Sequence, residues 1–251
     1  MTNTINKLYG LIGRPLAHSF SESYFTKKFQ DEGLADHRYD TFPIYTDYYL
    51  QILKRDNENL VGLNVTIPYK ESVMHFMDSL DETAATIGAV NTIHIKEGKM
   101  VGYNTDAIGF QKAYEEFVEE KTLKVTGALI LGTGGASKAV KYVLDRKNIP
   151  TKLISRTKST SVLGYDDIDE KLLGEFNFIV NTTPVGTFPK TKQAPAIPFD
   201  LLTPNHALFD LVYNPEKTLF LTKGENQGCH CTNGLKMLHA QAEAAWKIWN
   251  R

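Results

Sequence analysis

The chain has 251 residues, of which 42% are hydrophobic and 23% are charged, and its formal net charge at pH 7 is −1. This length and composition fit one large or two modest globular domains. The balanced charge gives no electrostatic footprint for nucleic acid, and no run of eighteen apolar residues indicates a membrane-spanning helix. Because the first residues also lack the apolar core of a secretory signal, we expect a cytoplasmic protein that binds neither nucleic acid nor membranes.

The first hundred residues predict short strands that alternate with helices. A glycine turn at Glu97-Gly98 joins two of these strands as a hairpin, and Ser19 or Ser21 is expected to cap the first helix. The pattern indicates a small α/β domain. The predicted strands are residues 8–13, 38–44, 61–67, 90–95 and 100–103, and the predicted helices are residues 22–30, 70–77 and 107–118.

Four polar clusters interrupt this first domain at strand ends, at residues 18–21, 64–70, 88–92 and 102–106. Each alone has a structural explanation, as a helix cap or a turn. Together they offer hydroxyls, amides, one ammonium and one carboxylate. Such a set suits a small polyhydroxylated acid, because neutral donors and acceptors can pair with each hydroxyl in turn.

The second half carries the most informative segment, a glycine-rich turn at residues 132–137 between an apolar strand and a helix start. Glycines let backbone N–H groups approach a dinucleotide pyrophosphate closely, and the helix N-terminus offers further donors. Ser137 stands where the third glycine of the common motif would be. The alternative is a glycine turn that holds no ligand. The cofactor-binding residues predicted here are Gly132, Gly134, Gly135 and Ala136.

The next predicted strand, residues 151–154, runs into Ser155-Arg156-Thr157-Lys158. A site for NAD would have an acidic residue here to bind the ribose 2′-OH. In its place Arg156 offers a planar fork that suits a 2′-phosphate, with the Ser155 and Thr157 hydroxyls and Lys158 in support. We therefore predict NADP as the cofactor, against the alternative of an exposed basic loop.

Strands are also predicted at residues 178–181 and 207–211, and residues 234–249 form an amphipathic helix. Periodicity alone leaves open whether this helix packs on the second domain or returns to the first. The acidic cluster at residues 166–170 is interpreted as a solvated helix start, and the Cys229-His230-Cys231 spacing is too tight for a usual zinc site. No metal is expected.

Eight segments spread over nearly the whole chain form one pattern: residues 13–21, 64–70, 88–92, 104–106, 132–136, 181–186, 210–215 and 237–242. In these segments the sequence resembles the shikimate dehydrogenase family. The resemblance implies an N-terminal α/β substrate domain, residues 1–106 with 233–251, and a Rossmann-like NADP-binding domain, residues 107–232. The C-terminal helix would return to the first domain, and the ligands would meet in a cleft between the domains.

Matched position by position, the resemblance implies that Ser19 and Ser21 hold the substrate carboxylate and that Tyr213 lies near the substrate. Glu22 departs from the family, which usually has proline there, and so brings a carboxylate within a turn of the two serines that would bind the substrate acid. The residues implied to hold the ring hydroxyls are Asn64, Thr66, Lys70, Asn91, Asp106 and Gln241.

The implied reaction is the reversible reduction of 3-dehydroshikimate by NADPH. Lys70 and Asp106 are the only ammonium–carboxylate pair in the matched clusters, so we assign the catalytic role to them, with His18 as a competing acid. Two alternatives stay open: a quinate or broad-specificity quinate/shikimate dehydrogenase, and a non-catalytic sensor of the same ligands. The chain is expected to be a monomer or a homodimer.

Overall fold

The computed structural model describes residues 5–16 and 20–251, so Ser19 and His18 lie outside the described residues. The chain divides into two compact units. One ends at Thr105 and takes up the chain again at Ala242–Arg251, and the other is Asp106–Gln241. The sequence placed the return to the first domain at residue 233, whereas in the structure the C-terminal helix itself is divided between the units.

The first unit is built on a six-stranded mixed sheet with strand order β2-β1-β3-β5-β6-β4. β1 runs parallel to β2 and β3, and β5 is antiparallel to β3 and β6. Its elements are β1 (Lys7–Gly13), α1 (Phe20–Asp31), β2 (His37–Pro43), α2 (Tyr49–Asp56), β3 (Leu60–Val65), a 3₁₀ helix (Ser72–Phe76), β4 (Ser79–Leu80), α3 (Glu82–Ile87), β5 (Thr92–Lys96) and β6 (Lys99–Tyr103).

Side chains that alternate along the strands bury both faces of this sheet, as the period of two in a strand requires. Leu8 and Ile12 pack with α2 and the 3₁₀ helix in one core cluster. Tyr9 and Leu11 face the opposite way, into a cluster with α1 and the C-terminal residues up to Trp249. The indole N–H of Trp249 donates to the carbonyl of Ile93 at 2.9 Å, which fixes the end of the chain on β5.

Two local expectations were wrong in detail. The predicted helix at residues 70–77 is a shorter 3₁₀ helix, because the carbonyl of Lys70 accepts the N–H of Val90 at 2.7 Å instead of a helical bond. The first helix begins at Phe20, so Ser21 is its second residue and not its cap, and Ser19, the other expected cap, lies outside the described residues.

The second unit is built on a six-stranded parallel sheet with strand order β12-β11-β10-β7-β8-β9. Its elements, with the two helices that begin or end in the first unit, are α4 (Thr105–Lys121), β7 (Ala128–Leu131), α5 (Gly135–Arg146), β8 (Thr151–Ile154), β9 (Val162–Leu163), a 3₁₀ helix (Tyr165–Asp167), α6 (Glu170–Glu175), β10 (Phe178–Asn181), a 3₁₀ helix (Phe199–Leu201), β11 (Ala207–Asp210), α7 (Leu219–Asn226), β12 (His230–Asn233) and α8 (Leu235–Trp249).

Helices cover both faces of the parallel sheet, as its continuous apolar strands require. Leu173 of α6 and Phe220 of α7 pack on one face. On the other face the ring of Phe110 of α4 packs edge-on against the ring of Phe209, with ring centroids 5.3 Å apart. Within residues 5–16 and 20–251, no helix is both long and apolar enough to cross a membrane.

A buried carboxylate organises the carboxyl end of this sheet. Asp210, the last residue of β11, accepts hydrogen bonds from Asn181 Nδ2 (2.9 Å), the backbone N–H of Val212 (3.0 Å) and Thr218 Oγ1 (2.6 Å). Thr218 in turn caps α7 by accepting the N–H of Leu221. One side chain therefore holds β10, the loop after β11 and the start of α7. Burial raises the pKa of Asp210 to about 6, although the three hydrogen bonds oppose this increase.

This raised pKa predicts a pH-dependent stability. The native state binds the Asp210 proton more tightly than the unfolded chain does, because the pKa of this carboxyl is near 3.8 in the unfolded chain and about 6 in the native state. The proton therefore stabilises the native state fully below about pH 3.8, and this stabilisation is lost as the pH rises through about 6. The Asp210→Asn variant does not titrate at this position. Between about pH 4 and pH 7, the unfolding free energy of the unaltered protein should fall relative to that of the variant by up to about 3 kcal/mol. Urea titrations at several pH values measure this difference, and parallel pH curves would contradict it.

Candidate active site

In the first unit, buried polar side chains form a line across the sheet. Asn64 of β3 lies opposite Thr92 of β5 in the antiparallel register, and its Nδ2 donates to Thr92 Oγ1 at 3.3 Å. Thr92 Oγ1 lies 3.2 Å from Asn91 Oδ1 and 3.0 Å from Thr105 Oγ1. All four residues are buried, and a buried polar group needs such partners.

Asn91 fixes the beginning of α4. Its Oδ1 accepts the backbone N–H of Thr105 at 2.6 Å, and its Nδ2 donates to Thr105 Oγ1 at 3.0 Å. Asp106, the next residue, is buried in the first turn of α4. The Asn91 side chain thus determines where the chain enters this helix.

Tyr39 of β2 extends the line in the other direction and was missed by the sequence analysis. Its hydroxyl donates to Asn64 Oδ1 at 2.8 Å. Burial raises the pKa of Tyr39, while a hydrogen bond from Ser21 lowers it. The sequence offered no signal for this role, because the partner lies on a strand 25 positions away.

Lys70 and Thr66 follow the end of β3. The Thr66 N–H donates to Ile12 O at 2.9 Å, and Lys70 is half-buried with its carbonyl bonded to Val90. The structure therefore brings Ser21, Asn64 and Asn91 into one hydrogen-bonded line and joins Lys70 to that region through its backbone.

In the second unit, the carboxyl ends of β7, β8, β10 and β11 align through the strand register. The chain leaves β7 towards β8 and later returns to β10 on the other side of β7. Such a switch in strand order is where open α/β sheets bind ligands.

The predicted glycine turn lies at this switch. Gly132 has φ of +113°, and a Cβ atom there would lie 2.8 Å from Thr182 Oγ1, so glycine is required. Gly134 occupies the N-cap position of α5, but as a glycine it has no side chain to accept the first N–H groups of the helix. A Cβ atom at this position would have no neighbouring atom within 4 Å. Ser137 is accommodated in place of a third glycine because its hydroxyl donates to Gly134 O at 2.6 Å. Gly135 and Ala136 form the first turn of α5.

The loop after β8 is predicted to bind the 2′-phosphate of NADP. Arg156 and Thr157 are exposed and Ser155 is half-buried, and the Thr157 N–H lies 3.4 Å from Ser155 Oγ. Lys158, expected as a supporting cation, instead forms ion pairs with Asp166 and Asp167 at 2.9 and 2.7 Å. These bonds raise the pKa of Lys158.

Two further predicted residues belong to the second unit. Tyr213 lies in the loop after β11, between Val212, whose N–H bonds to Asp210, and Asn214, whose carbonyl accepts the N–H of Phe188 at 3.0 Å. Gln241 is buried in α8, and its Nε2 donates to Leu238 O at 3.1 Å. The network of Asp210, Asn181 and Thr218, which orders this edge, was not predicted.

The residues present at the switch fit a dinucleotide. The first N–H groups of α5 have no side-chain cap, the turn before them has open space at Gly134, and a guanidinium follows the neighbouring strand. Backbone N–H groups at a helix N-terminus bind phosphates, and an arginine after the second strand suits a 2′-phosphate. The donor set therefore matches NADP at both of its phosphate positions.

Known proteins resemble this chain over nearly its full length. Residues 11–93 match the family model of the shikimate dehydrogenase substrate binding domain. A shikimate dehydrogenase (NADP(+)) of Methanococcus maripaludis is 35% identical over 266 residues, which cover 99% of this chain and 94% of that protein.

Solved structures agree with this match. A shikimate 5-dehydrogenase from Thermus thermophilus, in complex with NADP(H) and shikimate, is 29% identical with a TM-score of 0.83 and covers 97% of this chain and 93% of its own. A quinate dehydrogenase from Corynebacterium glutamicum, in complex with NAD, is 27% identical with a TM-score of 0.84 over 97% and 93% of the two chains. With a relative 35% identical across almost all of its length, the chain belongs to the shikimate dehydrogenase family.

Proposed function

We propose that this protein is an NADP-dependent shikimate dehydrogenase, which reduces 3-dehydroshikimate to shikimate and runs the reverse reaction. The observation that carries the proposal is the buried line of amides and hydroxyls in the first unit. In the same chain, the second unit has a glycine turn before α5 that suits a dinucleotide, and Arg156 follows its next strand. A relative named shikimate dehydrogenase (NADP(+)) over the same length supports it.

The first domain is the substrate domain in this proposal. Ser19 and Ser21 bind the substrate carboxylate, and Tyr213 lies near the substrate. The buried positions of Asn64, Asn91, Asp106 and Gln241 support a dry site, in which hydrogen bonds discriminate strongly between a hydroxyl and its absence. The ring hydroxyls are bound by Asn64, Thr66, Lys70, Asn91, Asp106 and Gln241.

The second domain holds the cofactor. The turn at Gly132, Gly134, Gly135 and Ala136 binds the pyrophosphate through its backbone, and Arg156 with Ser155 and Thr157 binds the 2′-phosphate. NADPH, when bound, supplies the hydride that reduces the ring ketone.

Lys70 and Asp106 serve the ketone oxygen. As the carbonyl carbon is reduced, negative charge develops on this oxygen, and the Lys70 ammonium donates a hydrogen bond and then a proton to it. Asp106 forms a hydrogen bond near the same hydroxyl of the substrate. In the reverse direction Lys70 accepts the proton from the hydroxyl.

A quinate or broad-specificity quinate/shikimate dehydrogenase is the second candidate, favoured by the likeness to a quinate dehydrogenase in complex with NAD. Arg156 argues for NADP, because the second strand ends without the carboxylate that an NAD ribose binds.

The test is a nicotinamide absorbance assay with shikimate and quinate, each offered NADP and NAD. The highest kcat/KM should be found for shikimate with NADP. A higher kcat/KM for quinate would establish the second candidate, and no turnover with any pair would leave only a binding protein.

Replacement of the proposed proton donor should stop the chemistry. Lys70→Met keeps the aliphatic stem but removes the ammonium, so kcat should fall by about 10²-fold or more while the Kd for NADP is unchanged. Lys171→Met, at an exposed position of α6, is the control and should keep full activity. Near-normal turnover by Lys70→Met would contradict the catalytic role.

Replacement of the proposed 2′-phosphate reader should change cofactor choice. Arg156→Ala should weaken NADP binding by roughly 1.5–3 kcal/mol, the value of charged hydrogen bonds, and leave NAD binding almost unaltered. Isothermal titration with both cofactors measures this, with the exposed Arg146→Ala variant at the end of α5 as the control. Equal losses for the two cofactors would show that Arg156 does not bind the 2′-phosphate.

A further inference from the structure

Asn64 uses only half of its hydrogen-bonding capacity within the described residues. Its Oδ1 accepts one bond, from the Tyr39 hydroxyl, and its Nδ2 donates one bond, to Thr92 Oγ1. An amide group offers two acceptor lone pairs and two donor hydrogens. Because Asn64 is buried, the second lone pair and the second hydrogen are expensive to leave without a partner.

The two bonds that Asn64 does make fix which way its amide points. The phenol of Tyr39 donates to the oxygen end, and Thr92 accepts from the nitrogen end. A rotation of the amide by 180° would turn its oxygen towards Thr92 Oγ1, whose one hydrogen is donated to Asn91 Oδ1, and would take away the acceptor of the Tyr39 hydroxyl hydrogen. Burial raises the pKa of Tyr39, so its hydroxyl keeps its proton at every working pH.

The Tyr39 ring is itself held in place. It stacks on Phe25 of α1 with ring centroids 4.8 Å apart and an interplanar angle of 13°, and it lies 6.4 Å from the Trp249 ring. Phe25, Tyr39 and Trp249 are all buried in the same core cluster. The position of the hydroxyl is therefore set by the core of the first unit and not by the ligand.

We propose that Tyr39 is a positioning residue of the substrate site: its hydroxyl orients the Asn64 amide, whose remaining lone pair and remaining N–H together bind one ring hydroxyl of the substrate. A hydroxyl can donate to Oδ1 and accept from Nδ2 at the same time. This inference rests on the proposed function. The proposed function already assigns a ring hydroxyl to Asn64, and this inference adds Tyr39 as the residue that orients the Asn64 amide for it.

The test compares Tyr39→Phe with Tyr9→Phe. Tyr9 pairs with Tyr39 in the register of β1 and β2, lies in the same core cluster, and has a buried hydroxyl that bonds to nothing among the described residues. Both variants delete one buried phenolic oxygen, but only the first deletes the bonds to Asn64 and to Ser21, and the double-mutant cycle below isolates the bond to Asn64. Tyr39→Phe should raise the KM for shikimate about tenfold, the effect of one buried hydrogen bond. The KM for NADP should stay unchanged, and kcat should change by less than about threefold. Tyr9→Phe should leave all three constants unaltered.

A double-mutant cycle separates positioning from general loosening of the fold. In an Asn64→Ala background, Tyr39→Phe has no amide left to orient, so its effect on the KM for shikimate should shrink to less than about twofold. An undiminished tenfold effect in that background would overturn the proposal, and so would an unchanged KM in the single variant. If Tyr39→Phe folds poorly, Thr92→Val removes the other bond of the same amide and should raise the KM for shikimate in the same way. An unchanged KM in Thr92→Val would then overturn the proposal.

The unaltered protein is assayed first, with shikimate and NADP. No turnover there refutes the proposed function and this inference with it. Normal turnover combined with a Tyr39→Phe variant that matches Tyr9→Phe refutes the positioning role alone.

Discussion

Both units depend on the requirement that polar groups buried in a sheet must be hydrogen-bonded. In the first unit this requirement links Tyr39, Asn64, Thr92 and Asn91 into one line. In the second it gathers the end of β10, the loop after β11 and the start of α7 around Asp210. In each unit, polar side chains at or near the ends of strands bond one another, and in doing so they take up fixed orientations before any ligand binds.

Fixed orientation matters for the proposed chemistry, because preorganised groups contribute most to binding and to transition-state stabilisation. The sheets supply it in different ways. The mixed sheet presents side-chain amides and hydroxyls, which can distinguish one ring alcohol from another. The parallel sheet presents backbone N–H groups at Gly134 and the first turn of α5, which suit a phosphate by charge and shape.

The sequence was sufficient for the glycine turn, where the signal is local. The turn from Gly132 to Gly135 was predicted from consecutive residues, because the strand before it, its glycines and the helix after it follow one another directly in the sequence. It was insufficient where the partner is distant. The Tyr39 contact with Asn64 and the Asp210 contact with Thr218 require the strand register and the inward face of each strand. The ion pairs of Lys158 were not predicted for the same reason, since its acidic partners follow β9 and not its own strand.

The division of α8 between the units has a consequence for biosynthesis. Ala242, Ala245, Ile248 and Trp249 complete the core cluster against Tyr9 and Phe25, yet the ribosome adds these residues after all of Asp106–Gln241. The unit whose strands emerge first is thus the last to acquire its full interior. During translation the aromatic residues of the first unit therefore remain incompletely packed until a segment more than a hundred residues downstream has been synthesised. By then the intervening unit already has its whole sequence.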